Sequence, residues 1–522
     1  MTQEKQPDYT SLVPRFTFAD TLEEQEAQLK TNPLLRRFAE SRTHMALDPY
    51  RPLYHYVSPE NIMNDPNGLC FWQGRWHLFY QGFPPEDSRV HWGHAVSDDL
   101  IRWRDLPYAI YPSPERCCYS GSAFVEDDRV IVMYHGTEVG NMVAVSSDPL
   151  LLNWEKLTGA AVISQQIPEA LSLSFNVFDP CIWKKEEFYY SLSGHTQRGL
   201  GRRRINILFR SKDLVHWDCL HEFIEKDFYT LNGDDGACPY FWPIGDRHIL
   251  LFFSHLSGGQ YLLGDYDKQR DKFVATSHGK ANFGAWGPGG VHAPSATPDG
   301  KGGLVVLFNM NMGKPTQGWG LIMTLPRRLT LIGRDELSIE PAGDLESLRG
   351  THVHVSTMTL PANEEVVMTT ISGNTMEIGV EIDTQGSPMV ELNVLRSPDK
   401  EEYTRIAFFR ERGYGNHSLI SIDTSYSSTL PDVLSRAPET APVMIERDET
   451  LKLRVFVDRS VVEVFVNGKQ CVALRVYPGR KDSVGISLRS QGKDAELKSL
   501  DAWQMKNSYE SVKGSYHDDY HA

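Results

Sequence analysis

The sequence predicts an all-β protein, a five-bladed β-propeller followed by a C-terminal β-sandwich. The first sign is a hydrophobic hairpin pattern that recurs five times, beginning near Gly68, Ser122, Cys181, Tyr240 and Ser295. The step of roughly 55 residues falls in the range of propellers and other repeat arrays. Each copy joins a short apolar run, a charged or Gly-bearing turn and a longer run of β-branched and aromatic residues, as in GLCFWQGRWHLFYQG and SAFVEDDRVIVMYHG. That is the composition of a hairpin. The second sign is an echo after each of the first four copies: HAVSDDLIRWRDL, VAVSSDPLLLNWEKL, ILFRSKDLVHWDCL and, more weakly, LLGDYDKQRDKFVAT. Each echo has an Asp-bearing turn and a return strand opening on an aromatic, Trp103, Trp154, Trp217 or Phe273. Two hairpins per period make a four-stranded unit, and five units make a ring. The third sign lies beyond Leu345, where short strands alternate with period two. LKLRVFVDRSVVEVFVNGKQCVALRVYP is the clearest, with Asn467-Gly468 supplying a tight hairpin turn.

These patterns divide the chain into four parts. Residues 1–48 are a charged, partly helical extension interrupted by Pro33 and expected to pack on the outside. Residues 49–340 are the propeller and 341–506 the sandwich. The polar residues 507–522 are expected to be a disordered tail.

Composition narrows the function. A formal net charge of −15 argues against a nucleic-acid or anionic-membrane partner and leaves a neutral or cationic ligand. Seven cysteines without C-x-x-C spacing give neither a disulfide framework nor a zinc site, and Cys117-Cys118 read as small buried apolar groups. The N-terminus has no apolar stretch after a basic start, and no segment has the length of a membrane span. A cytoplasmic address is therefore expected, where the sequon Asn416-His417-Ser418 carries no meaning.

The chemistry collects just ahead of the hairpins. Asp65 lies in NDPNG before the first copy, Asp179 in FDP before the third, and Asp234 and Asp235 in GDDG before the fourth. Ser120-Gly121-Ser122 and His292 fall at the equivalent points of the second and fifth. Asp-Pro-Asn-Gly and Asp-Gly are favourable turn sequences in themselves. Their common phase points further, because equivalent positions of different blades face one another across a propeller axis. Clustered carboxylates repel, so such a group usually serves a metal or acid/base chemistry. His91 and His94 in HWGH are a weak ligand pair, and no calcium loop accompanies Asp65 and Asp179. No G-x-S-x-G elbow is present. A carboxylate pair cleaving a glycosidic bond fits best: one attacks the anomeric carbon while the other protonates the leaving oxygen.

NIMNDPNG followed by Phe79-Tyr80-Gln81, then WGHAVS, SGSAF and an Asp-Pro pair resembles the invertase, inulinase and levanase family, glycoside hydrolase family 32. TLPRRLTL and LRVFVDRSVVEVFVNG are similar to its later motifs, so the resemblance spans about residues 52–505. It implies action on β-linked fructosyl residues of sucrose, fructooligosaccharides, inulin or levan, with no cofactor and no metal. By motif, Asp65 resembles the nucleophile that forms a fructosyl-enzyme and Asp179 the transition-state stabiliser. Asn64, Gln81, Trp92 and Ser122 resemble residues lining the fructose pocket, and His292 joins them by phase.

Two positions depart from the family. Phe178 stands where it usually has arginine, and Ala237 where it has the acid/base glutamate. Asp235, on the same side of an extended strand as Ala237, is the preferred replacement, with Asp234 the alternative through a bulge. Fructosyl transfer, a sugar-binding propeller that has lost catalysis, and a related propeller enzyme acting on arabinan or xylan are the competing readings. The faces of the sandwich are candidates for pairing into a homodimer or for contacting long polymers.

Overall fold

The computed structural model describes residues 10–165, 175–197, 206–231, 233–410 and 417–509, the side chains of 175 and 194–197 apart. The chain winds five antiparallel sheets in succession and then folds two more against each other. The first strands of the five blades are Met63–Trp72, Cys118–Val125, Phe175–Lys185, Ala237–Ile244 and Val291–Pro298. The first strand of blade one packs against those of blades two and five, which closes the ring.

Apolar faces seal each blade to the next. Phe79, Trp92, Val132, Tyr134 and Trp154 fill the space between blades one and two, and Trp183, Phe223, Phe241 and Phe273 that between three and four. The aromatics expected to open the return strands serve this packing: Trp103, Trp154 and Phe273 are buried and Trp217 half-buried. Blade five also has an outer hairpin, Arg327–Gly333 with Glu336–Pro341, drawn from the TLPRRLTL stretch; its turn carries Asp335, but no aromatic opens the return strand.

One phenol pins four blades together. Tyr240 Oη, of blade four, donates to Gly121 O at 2.8 Å, accepts from Gly68 N at 3.1 Å and meets Ser295 Oγ at 2.8 Å. Burial leaves such groups no water to fall back on, so each bond fixes the position of its strand.

The sandwich places a seven-stranded sheet against a six-stranded one, with Ile378, Val380, Leu392, Ile406, Ile420, Val455 and Val464 among the side chains between them. Its joint with the propeller is polar and fully buried. Asp458 accepts from the backbone N–H groups of Leu53, Tyr54 and His55 and contacts His55 Nδ1 at 2.9 Å. His55 Nε2 lies 3.2 Å from Glu463, which also takes Leu325 N and the Arg327 guanidinium at 2.7 and 3.0 Å.

The extension forms α1 (Leu22–Lys30) and α2 (Pro33–Met45). Pro33 starts α2 rather than breaking a helix, its missing N–H being one that no helix bond needs, while Asn32 caps Leu34 and Leu35. Leu29, Leu34, Leu35 and Phe38 pack on Leu106, Tyr108, Leu150 and Leu152 at the rim of blades one and two. Two residues of the expected tail are tied to the propeller. Ser508 N donates to Leu53 O, and the phenol of Tyr509 takes Val57 N and gives to His55 O. Residues 510–522, and Asn416 of the sequon, lie outside the described residues.

Candidate active site

All five first strands carry a bulge at the same point, where two residues oppose one on the second strand. Register shifts fall at Met63/Pro66, Cys118/Gly121, Val177/Pro180, Ala237/Tyr240 and Val291/Pro294. The extra residues are Asn64-Asp65, Tyr119-Ser120, Phe178-Asp179, Cys238-Pro239 and His292-Ala293. A bulge bends its strand and re-aims the side chains it releases, and the fivefold repeat aims these pairs at a common channel.

Asp65 and Asp179 meet there through Cys238. The thiol lies 3.6 Å from Asp65 Oδ2 and 3.5 Å from Asp179 Oδ2, and Cys238 N donates to the latter at 3.0 Å. Cys238 sits at φ 50°, a left-handed conformation that costs energy for a side-chain-bearing residue and persists where the surroundings enforce it. Burial pushes the thiol well above its ordinary pKa, so it is a neutral spacer between two acids.

The two carboxylates differ in environment. Asp65 Oδ2 accepts from Ser120 Oγ at 2.7 Å and Gln81 Nε2 at 3.1 Å, and Oδ1 faces Asn309 Nδ2 at 3.4 Å. Asn64 closes this network, donating to Gln81 Oε1 at 3.2 Å and accepting from Asn309 Nδ2 at 3.0 Å. Gln81 and Asn309 are the single residues opposite the bulges of blades one and five. Donors on both oxygens hold this carboxylate in one orientation. Among the described residues Asp179 is hydrogen-bonded by Cys238 alone, and it is 3% exposed; burial, and then the charge of Asp65, push its pKa up to about 7.

His292 stands on the fifth bulge with its ring 3.8 Å from that of Phe253 and 5.4 Å from that of Trp286. Burial lowers its pKa to about 4, which keeps the imidazole neutral, and its buried Nε2 has no partner among the described residues.

Two expected pocket residues stand elsewhere. Trp92 is wholly buried between Phe79 and Tyr134, its indole N–H bonded to Tyr119 O at 2.9 Å, so it braces the second bulge from behind. Ser122 lies past that bulge, fully buried, with its Oγ accepting from Ile182 N of blade three. Ser120 is the blade-two counterpart of Asp65 and Asp179.

The fourth blade departs most from expectation. Asp234 is fully buried and engaged by Leu231 N, Ser257 Oγ and Gln260 Nε2 at 3.2, 3.0 and 3.3 Å. Asp235 bonds His255 twice, at 3.1 Å to the backbone N and 2.7 Å to Nδ1. No hydrogen bond joins either to Asp65 or Asp179 among the described residues. Ala237 and Phe178, the two departures from the family pattern, share one apolar cluster with Cys238, Phe253, Ala293 and Trp286. Among the described residues, no group of three or more His, Cys, Asp or Glu is arranged to hold a metal ion, and no helix is long and apolar enough to cross a membrane.

The sequence matches the model of the glycosyl hydrolases family 32 N-terminal domain over residues 55–341 and that of the family's C-terminal domain over 344–504. It is 28% identical to levanase of Bacillus subtilis (strain 168), covering 88% of this chain and 71% of that one. Fructan 6-exohydrolase of Beta vulgaris is 25% identical over 88% of each. The crystal structure of fructan 1-exohydrolase IIa from Cichorium intybus superposes with a TM-score of 0.77 at 23% identity, covering 88% of this chain and 98% of that one.

Proposed function

We propose that this chain, which belongs to glycosyl hydrolase family 32 and is a glycosidase, cleaves β-fructofuranosyl linkages with retention through a covalent fructosyl-enzyme. Its substrates are sucrose, fructooligosaccharides, inulin or levan, in line with relatives named for levan and fructan. One observation carries the reading: carboxylates from blades one and three reach a single thiol, one ringed by donors and the other nearly bare.

That asymmetry assigns the roles. Asp65, held in one orientation, attacks the anomeric carbon; its bond to carbon forms as the bond to the leaving oxygen breaks. Asp179 accepts from fructose hydroxyls and stabilises the positive charge that develops on the sugar ring. Asn64, Gln81 and His292 hold the fructose, His292 through its unpartnered Nε2. The leaving group's proton comes from the Asp235 side of the channel, since Asp234 is spent inside blade four. Water completes the turnover; a sugar acceptor in its place would make the protein a fructosyltransferase.

The test is incubation with sucrose, inulin and levan in turn, with the products separated by chromatography. Equal glucose and fructose from sucrose, abolished in Asp65→Asn, supports hydrolysis. Glucose in excess of fructose, with larger sugars, indicates transfer. No product from any of the three substrates overturns the reading in favour of a sugar-binding propeller.

A further inference from the structure

We infer that the general acid/base is the imidazole of His255, held by Asp235 at the end of blade four where Ala237 begins the first strand; this rests on the fructoside reading above. Ala237 pairs with Phe253 across the first two strands of blade four. Asp235 and His255 each lie two residues further along, Asp235 before Ala237 and His255 after Phe253. Gly236 takes φ 65° and His255 opens the turn that follows the second strand, so the chain leaves the pleat on both sides, and the two side chains meet at 2.7 Å. The His255 ring also stands against the ring of Phe253, 4.7 Å between centroids at 67°. Asp235 fixes both ends of this residue, taking its backbone N–H as well as Nδ1.

The pairing determines which nitrogen can work. With Nδ1 on the carboxylate, Nε2 is the proton-carrying atom that remains, and no hydrogen bond is made at it among the described residues. The side chain is 41% exposed, whereas Asp235 is 6% exposed. A substrate oxygen can therefore reach the imidazole, while the aspartate is shielded behind it. Among the described residues, the charged and titratable groups acting on the ring include Asp235, Asp179, Asp65 and His292. Burial disfavours the imidazolium, but the hydrogen bond to Asp235 and the charges of Asp235, Asp179 and Asp65 outweigh it and raise the pKa above the ordinary histidine value. The shift favours the protonated imidazole that the first half of the reaction needs, and the second half uses the neutral one.

In the first half, Asp65 bonds the anomeric carbon, the electron pair of the broken bond goes to the leaving oxygen, and that oxygen takes the Nε2 proton. In the second, neutral Nε2 takes a proton from water, the water oxygen bonds the carbon, and Asp65 leaves as carboxylate. Asp235 is a positioning residue: it sets the tautomer and stabilises the imidazolium without touching substrate.

The test compares wild type, His255→Gln and Asp235→Asn on sucrose and on p-nitrophenyl β-fructofuranoside, whose phenolate leaves without a proton. In His255→Gln, kcat/KM for sucrose is expected to fall roughly 100-fold or more, and for the aryl fructoside less than about tenfold, with the alkaline limb of the pH profile gone. Azide, which needs no base, should restore kcat on the aryl substrate and yield fructosyl azide. In Asp235→Asn the alkaline limb should move to lower pH. Sucrose activity retained in His255→Gln but lost in Asp235→Asn would overturn the inference in favour of Asp235 as the acid. An equal fall on both substrates would also overturn it, as a structural effect. A wild type inert on both substrates would sink the fructoside reading itself, an outcome distinct from either.

Discussion

Asp179 carries a measurable electrostatic cost. Burial and then Asp65 raise its pKa to about 7, against about 3.9 in an unfolded chain. The folded protein thus keeps a proton that the unfolded chain has lost, and its stability falls as pH rises between those values. At about 1.4 kcal/mol per unit, a few kcal/mol are at stake. Asp179→Asn is expected to raise Tm by several degrees at pH 8 and to leave it near wild type at pH 4, while activity falls at least 100-fold. A Tm gain of equal size at both pH values would refute the electrostatic account. Phe178 and Ala237 belong to the same scale. A glutamate placed at 237 would enter the apolar cluster of Phe178 and Phe253. Ala237→Glu alone should therefore destabilise the fold by about 2 kcal/mol or more, and Phe178→Arg added to it should recover much of the loss. Additive penalties in that double-mutant cycle would show the two positions to be independent.

At the scale of the element, the bulge is the device that builds the site, and it marks the limit of what the sequence discloses. Asp65 and Asp179 were legible because hairpin repetition gave their phase and NDPNG and FDP gave their chemistry. The phase was coarse by a residue or two, since a bulge changes backbone register without a motif of its own. Within Ser120-Gly121-Ser122 it is Ser120 that meets Asp65, while Ser122 and Trp92, assigned to the pocket by motif alone, lie past the second bulge and behind it. Cys238, Asn309 and His255 were not picked out, because their roles arise from strand pairing across a bulge or at a strand end. The outer hairpin of blade five is hard to read from sequence because its return strand, Glu336–Pro341, opens on no aromatic. A direct check of the bulge lies at Gly121, where a Cβ would come within 2.1 Å of Met133 O and 2.5 Å of Tyr134 Cα. Both are backbone atoms that cannot step aside. Gly121→Ala should shift the second bulge, withdraw Ser120 from Asp65 and cut kcat more than it raises KM. Wild-type kinetics in a folded Gly121→Ala protein would show that Ser120 does not orient the nucleophile.

Across the whole molecule, the most distinctive C-terminal motif does no chemistry at the channel; it fastens the sandwich to the start of the propeller. Asp458 and Glu463 of DRSVVEVF grip His55 and, through Glu463, Arg327, all of them buried. The chain they hold runs from Leu53 to His55 and enters the first blade at Met63, two residues before Asp65. Removing one member of such a cluster leaves its partners charged and dry, typically at a cost of about 3–5 kcal/mol, whereas replacing both ions by apolar groups can be nearly neutral. Glu463→Ala is therefore expected to lower the calorimetric transition sharply, and Arg327→Met with Glu463→Met to lower it less. His55 gives the joint a pH dependence. Burial opposes its charge, but Asp458 and Glu463 overcome this and raise its folded pKa. Its contribution is complete below the ordinary histidine value and fades as pH rises through the folded one. His55→Gln should thus cost most in mildly acidic solution and progressively less toward alkaline pH, read as the Tm difference from wild type across that range. A difference that grows with pH would mean that His55 is neutral in the joint, and that Asp458 is held by backbone N–H groups alone.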